Sequence, residues 1–220
     1  MLGVRHRHSA QRGVAARCGL GASVEARLGF VNYSDDPSGY EALLRAKLTP
    51  HRIRSTMAFA ALYQMTHEMI RHAVLDEVEQ FFVIPIDGQF RVDEERYARD
   101  VLSRHKGRFK ASLDWLVAMG AMTVEQADRI ERINTHRNQL THELVRYIVD
   151  TDAEPDVDAF TDAVAILRSI RRFWTGIEAD YGTYEDYPDV DLDEIVPLSM
   201  MVLQQCLDAY LEGLGAADDK

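Results

Sequence analysis

Apolar residues recur at three- and four-residue steps in six stretches of the chain, the period of amphipathic helices. The first, 38–48, is short. The second, 49–82, is long, with Thr49 as N-cap and Pro50 in its first turn. Its centre, Met57 to Met69, is apolar over a wide arc, so this helix is expected at the middle of the fold. Residues 81–92 break the period. There Asp87-Gly88 sits between β-branched and aromatic residues, a hairpin signal that Pro85 weakens, and a short β-hairpin or ordered loop is expected near 82–92. Residues 93–119 predict a third long helix, acidic in its first turn and bent at Gly107. A fourth, 123–149, opens on the capping-box pair Thr123 and Gln126. A fifth, 156–181, carries Phe160, Val164, Leu167, Trp174 and Ile177 on one side, and an acidic, Tyr-bearing connection (182–194) leads to a last helix, 195–214. No repeat of solenoid period is present. The expected fold is all-α: an antiparallel up-and-down bundle of five to six helices in one domain, 36–214. Residues 1–35 are basic with few regularly spaced apolar positions, and they and 215–220 are expected to be disordered tails.

Composition narrows the class. With 46% hydrophobic and 28% charged residues in 220, the chain reads as a soluble globular protein. No apolar run approaches a membrane span, so no membrane association is expected. Two cysteines, Cys18 and Cys206, are too few for a disulfide framework or a four-ligand zinc site, and suit a reducing cytoplasm. The net charge of −11 is uneven: residues 1–30 carry +4, residues 31–149 carry −1 and residues 150–220 carry −14. The near-neutral middle can hold a local basic patch, so the overall acidity does not exclude RNA.

Few residues suggest cofactor or metal chemistry. His67 and His72 are five apart, about 140° around a helix, and cannot easily share one ion. They read as surface or packing residues. There is no Glu-x-x-His pair, no Gly-rich phosphate loop and no Gly-x-Ser-x-Gly elbow, so no metal and no cofactor are expected. Arg96, Arg99, Arg104, His105, Lys106, Arg108 and Lys110 fall on the third long helix. They are either a track for RNA phosphates, chiefly Arg104, Lys106, Arg108 and Lys110, or a solvated face balanced by acids. The acidic stretch 178–194 is either a solvated loop or a dock for a basic partner.

The fourth helix holds an anomaly. Ile130, Ile133, Leu140, Leu144 and Tyr147 form its apolar stripe, yet Arg137 falls inside the arc, about 20° from Ile130 and about 40° from Ile133. A guanidinium buried without a partner costs several kcal/mol, so Arg137 must meet an acid, a polar cavity or a ligand phosphate. Asn134, Asn138 and His142 form a polar strip beside it.

These residues carry a resemblance. The run Arg137-Asn138-Gln139-Leu140-Thr141-His142 resembles the Arg-x4–6-His signature of the HEPN superfamily, with Asn after the Arg on a late helix of an all-α bundle. The resemblance implies a metal-independent endoribonuclease acting as a homodimer, of the kind found among toxins, anti-phage effectors and RNA-processing enzymes. Carried over, His142 is the general acid/base for attack of the ribose 2′-hydroxyl on the adjacent phosphate, Arg137 holds that phosphate, and Asn138 orients the pair. Histidine titrates near neutrality and arginine binds phosphate bidentately without a metal, so both residue types suit these roles. The implied partners are RNA, a second copy, and an antitoxin or regulatory protein. Leu144 stands where toxins silenced by a nucleotidyltransferase antitoxin often have Tyr, which puts that mode of control in doubt. The rival expectation is a catalytically inactive HEPN-like bundle with a binding or regulatory role, its Arg137 paired to an internal acid.

Overall fold

The computed structural model describes residues 36–187 and 189–215. The expected tails, apart from Gly215, lie outside the described residues. The described chain is mostly helical with one short two-stranded sheet, as the periodicity predicts. No helix among the described residues is long and apolar enough to cross a membrane.

Helix α1 (Pro37–Lys47) is capped by Asp36, whose carboxylate accepts from the Gly39 N–H at 3.0 Å. Its last residue, Lys47, is pinned: the ammonium donates to the Asp150 and Ala153 carbonyls and pairs with Glu154. Helix α2 (Pro50–Gln80) opens on the expected Thr49 cap and buries Phe59, Leu62, Tyr63, Ile70, Ala73, Val74 and Val78. It is the central helix, as its wide apolar arc predicts.

The hairpin forms. Strands β1 (Val83–Ile86) and β2 (Gln89–Val92) pair antiparallel, with Pro85 opposite Phe90. Asp87 and Gly88 have φ of 51° and 75°, the two left-handed residues that a type I′ turn requires. Each strand of a two-stranded sheet has a free edge, so the missing N–H of Pro85 is tolerated.

The third long helix does not form as one piece. It divides into α3 (Glu94–Asp100), a 3₁₀ turn (Leu102–Arg104) and α4 (Arg108–Ala118). His105 is extended (φ −155°, ψ 155°) and Gly107 occupies the N-cap of α4. Burial sets the division: Tyr97 on α3 and Val101 just after it enter the core from one side, whereas Ala111, Leu113, Trp115 and Leu116 enter it from α4. The break at 105–107 gives each set its own direction. The four cations Arg104, Lys106, Arg108 and Lys110 therefore do not share one helix.

Helix 123–149 also divides, into α5 (Val124–His142) and α6 (Leu144–Val149), with Glu143 off helical geometry at φ −120°, ψ 23°. Beyond the bend, Tyr147 packs its ring edge-on to His136, and its hydroxyl donates to Gln139 Oε1 at 3.4 Å. The N-terminus of α5 forms the full capping box with Thr123 and Gln126. Thr123→Ala is expected to cost about 1 kcal/mol, read as a lower urea midpoint with unchanged slope.

Helix α7 (Val157–Asp180) starts on the Asp156 cap, and α8 (Leu198–Gly215) follows a second 3₁₀ turn, Leu192–Glu194. Phe160 meets Phe59 and Tyr63, while Trp174 meets Ala73 and Phe81, so α7 runs in the same direction as α2. Helix α5 runs against both: its Arg129 and Arg132 pair with Asp162 and Asp156, and Ser169 bonds the carbonyl of Ala121. At the far end of the core Trp115 packs among Phe81, Phe82, Phe173 and Trp174.

Candidate functional site

The antiparallel pair α2 and α5 brings together two polar rows that are 60 to 80 residues apart in sequence. Helix α5 buries Ile130, Ile133 and Leu140 against α2, and the Tyr63 hydroxyl donates to the Ile133 carbonyl at 3.2 Å beneath them. Arg137 follows one turn on, at the margin of this contact.

Its guanidinium is held from three sides. Nε donates to Gln64 Oε1 at 2.9 Å, Nη2 to Glu68 Oε1 at 3.1 Å and Nη1 to Asn138 Oδ1 at 3.1 Å. The side chain is 26% exposed and Glu68 is 48% exposed, so the ion pair is neither sealed in the core nor free in solvent. Beside it lies a cavity of about 280 Å³, walled by Met57, Ala60, Leu140 and Leu144, with Gln64, Arg137 and Thr141 as its polar members. An arginine stem lying on apolar wall with its head turned outward is the usual compromise for a long cation at a core margin.

Arg137 lies within the buried arc of α5, between the angles of Ile130 and Ile133 and about 40° from Ile133; the polar residue that α5 buries is His136, 6% exposed. Its ring nitrogen Nε2 accepts from the Asp156 N–H at 2.9 Å, its Nδ1 lies 3.4 Å from Gln139 Oε1, and Tyr63 and Tyr147 stand edge-on to it. Burial pushes its pKa below 6.5, and the Gln139 bond and the Asp156 charge offset this only in part. For Asp156 burial is again the largest influence and would raise the carboxyl. Bonds from the Ala159 N–H and Arg132 outweigh it and hold the group below its ordinary value.

Between the lowered folded pKa of His136 and 6.5 the unfolded chain binds more protons, so stability rises with pH through that window. It is complete above 6.5 and declines as pH falls below it. Melting temperature between pH 5 and 7.5 should show this acid slope. His136→Gln, which has nothing to protonate, should flatten it.

His67 proves to be more than a packing residue. Its Nε2 lies 2.7 Å from Asn134 Oδ1, which links the two rows, while its buried Nδ1, 3.5 Å from Glu68 Oε1, makes no hydrogen bond among the described residues. Gln64, His67 and Glu68 were not legible in advance, because only the packing of α2 on α5 sets them opposite Arg137. Of the signature residues, Arg137 and Asn138 are in direct contact. His142 is the last residue of α5, exposed, with no hydrogen bond or ion pair among the described residues.

Three of the four cations offered for RNA are engaged within the chain. Arg108 bonds Tyr97 and Glu79, Lys110 pairs with Asp114, and Arg104 donates to the Asp100 carbonyl. Lys106 makes no hydrogen bond or ion pair among the described residues. Carboxylates thus offset two of the four charges. Among the described residues no group of three or more His, Cys, Asp or Glu is arranged to hold a metal ion. Comparison of the chain with protein-family models, with curated proteins and with solved structures finds no match.

Proposed function

We propose that the protein is a metal-independent endoribonuclease of HEPN type that works as a homodimer, in the manner of a toxin or anti-phage effector. The observation that carries this reading is the position of Arg137. Its guanidinium lies at the edge of an open cavity on side-chain partners, while His142 stands exposed five residues on along the same helix. A phosphate entering there meets a cation already held in place by Gln64 and Asn138. The His142 imidazole takes the proton of the ribose 2′-hydroxyl. The oxygen attacks phosphorus, the bond to the 5′ oxygen breaks, and that oxygen leaves with a proton given up by a His142 imidazolium of the composite site, giving a 2′,3′-cyclic phosphate and a 5′-hydroxyl. Arg137 and His142 are about 140° apart around one helix, so a single copy presents them poorly to one phosphate. A two-fold axis beside α5 supplies the missing half of each pair. RNA cleavage in EDTA by wild type, Arg137→Ala and His142→Ala is the test, and activity retained by both folded variants removes the reading.

A second reading rests on one observation of its own. The Arg137–Glu68 pair at 3.1 Å gives the guanidinium an anion within its own chain. That favours a HEPN-like bundle with a binding or regulatory role, and wild-type protein inert toward RNA in the same assay supports it.

A further inference from the structure

Helix α8 is apolar on two opposite sides, and the bundle covers only one. Met200, Leu203 and Leu207 are buried, and Tyr210 and Leu211 pack partly against the core. On the other side Leu198 is 74% exposed, Met201 53% and Val202 47%. At about 100° per residue the two sets stand roughly opposite each other. Gln205, Cys206 and Ala209, all exposed, continue the outer face without a charge. Apolar residues exposed together on one face of a helix, opposite its buried face, mark a site of association.

The charge around this face selects what covers it. Between Phe173 and Gly215 the chain has ten acids and no Lys, Arg or His. On α8 itself Asp208 borders the face and Glu212 closes its C-terminal end, and Asp193 and Glu194 stand just before it. A second copy laid on this surface would bring the same acids against their equivalents, and a nucleic acid would be repelled outright. An apolar stripe bordered by Lys and Arg meets both the apolar face and its acidic border.

We propose that the outer face of α8 is the seat of a basic amphipathic helix supplied by a protein partner. The partner lays its apolar stripe over Leu198, Met201 and Val202, and its cations face Asp208 and Glu212. This surface is distinct from the cavity beside Arg137, and the proposal stands whether or not the protein cleaves RNA.

The test uses the full chain and a fluorescent synthetic helix of about 18 residues, with Leu at helical stripe spacing and Lys elsewhere. Saturable binding read by anisotropy, weakened by salt and absent for a scrambled peptide of the same composition, is the expected result. Leu198→Ser with Val202→Ser should weaken it about tenfold or more, and Asp208→Lys with Glu212→Lys several-fold at low salt. All four positions are exposed, so the melting temperature should hold. Equal binding by the apolar double variant, or none by wild type, overturns the proposal. The alkylation rate of exposed Cys206, followed by mass mapping, reports on the same face. It should be fast in the protein alone and slow once the peptide is added. Slow alkylation in a peptide-free dimer assigns the face to a second copy, and in a peptide-free monomer to another part of the chain; either overturns the proposal.

Discussion

His142→Ala is expected to lower RNA cleavage, assayed in EDTA, by about 10²–10⁴-fold, the range in which a general acid/base contributes. The melting temperature should not move, because His142 is exposed and makes no hydrogen bond or ion pair among the described residues. Arg137→Ala should lose about 10²–10³-fold, as expected when a group that stabilises charge on the phosphate is removed. Its stability cost should stay at or below about 1 kcal/mol, since its ion pair with Glu68 is open to solvent on one side. The two effects separate the readings. A nuclease loses rate and keeps its fold in both variants. A purely structural Arg137 shows only the small change in stability. Mixing the two inactive variants adds a test of the dimer: if the site is composite, heterodimers carrying one intact pair of residues recover part of the activity.

The largest effect on folding is expected at Trp115. It is 3% exposed and lies against Phe81, Phe82, Phe173 and Trp174, with ring centroids 5.2 to 6.3 Å away. It therefore joins α4, the end of α2 and α7 in one aromatic cluster. Trp115→Ala removes the transfer energy of the indole and leaves a void that rigid neighbours cannot close, a loss of about 3–5 kcal/mol. For a domain of this size that is a fall in melting temperature of roughly 10 °C or more. Phe90→Ala is the matched control. Phe90 is 81% exposed on the hairpin, and its removal should change stability by less than about 0.5 kcal/mol. Comparable losses in both variants would mean that the hairpin is folded over in solution and that Phe90 has a packing role.

Much of this architecture is written locally. Thr49-Pro50, the Thr123–Gln126 box and Asp156 start helices through bonds to neighbouring N–H groups, which only a few adjacent residues determine. Asp87-Gly88 makes its turn for the same reason, since only residues tolerant of positive φ satisfy it. The wide apolar arc of α2 marked it as central because burial on most sides demands it.

Where helices end was harder to read. His105 and Glu143 leave helical geometry although neither is a breaker, and the signal at Gly107 suggested a bend where the chain makes a complete interruption. In both places the competing demand is tertiary. Val101 and Trp115 have to enter one core from different directions, and Tyr147 turns back onto His136. Packing energy at these points exceeds the small local preference for one more helical turn.

The site shows the same division. The sequence by itself determined that one helix carries Arg137, Asn138 and His142 at a definite spacing, and that a cation falls inside its apolar arc. Only the tertiary structure decided that Gln64 and Glu68 hold that cation, that His67 of the facing helix bonds Asn134, and that the polar residue this helix buries is His136. The reason is physical. Periodicity along one helix gives the angle of a residue around its axis, whereas burial and partnership depend on which face of another helix, some seventy residues away, is laid against it.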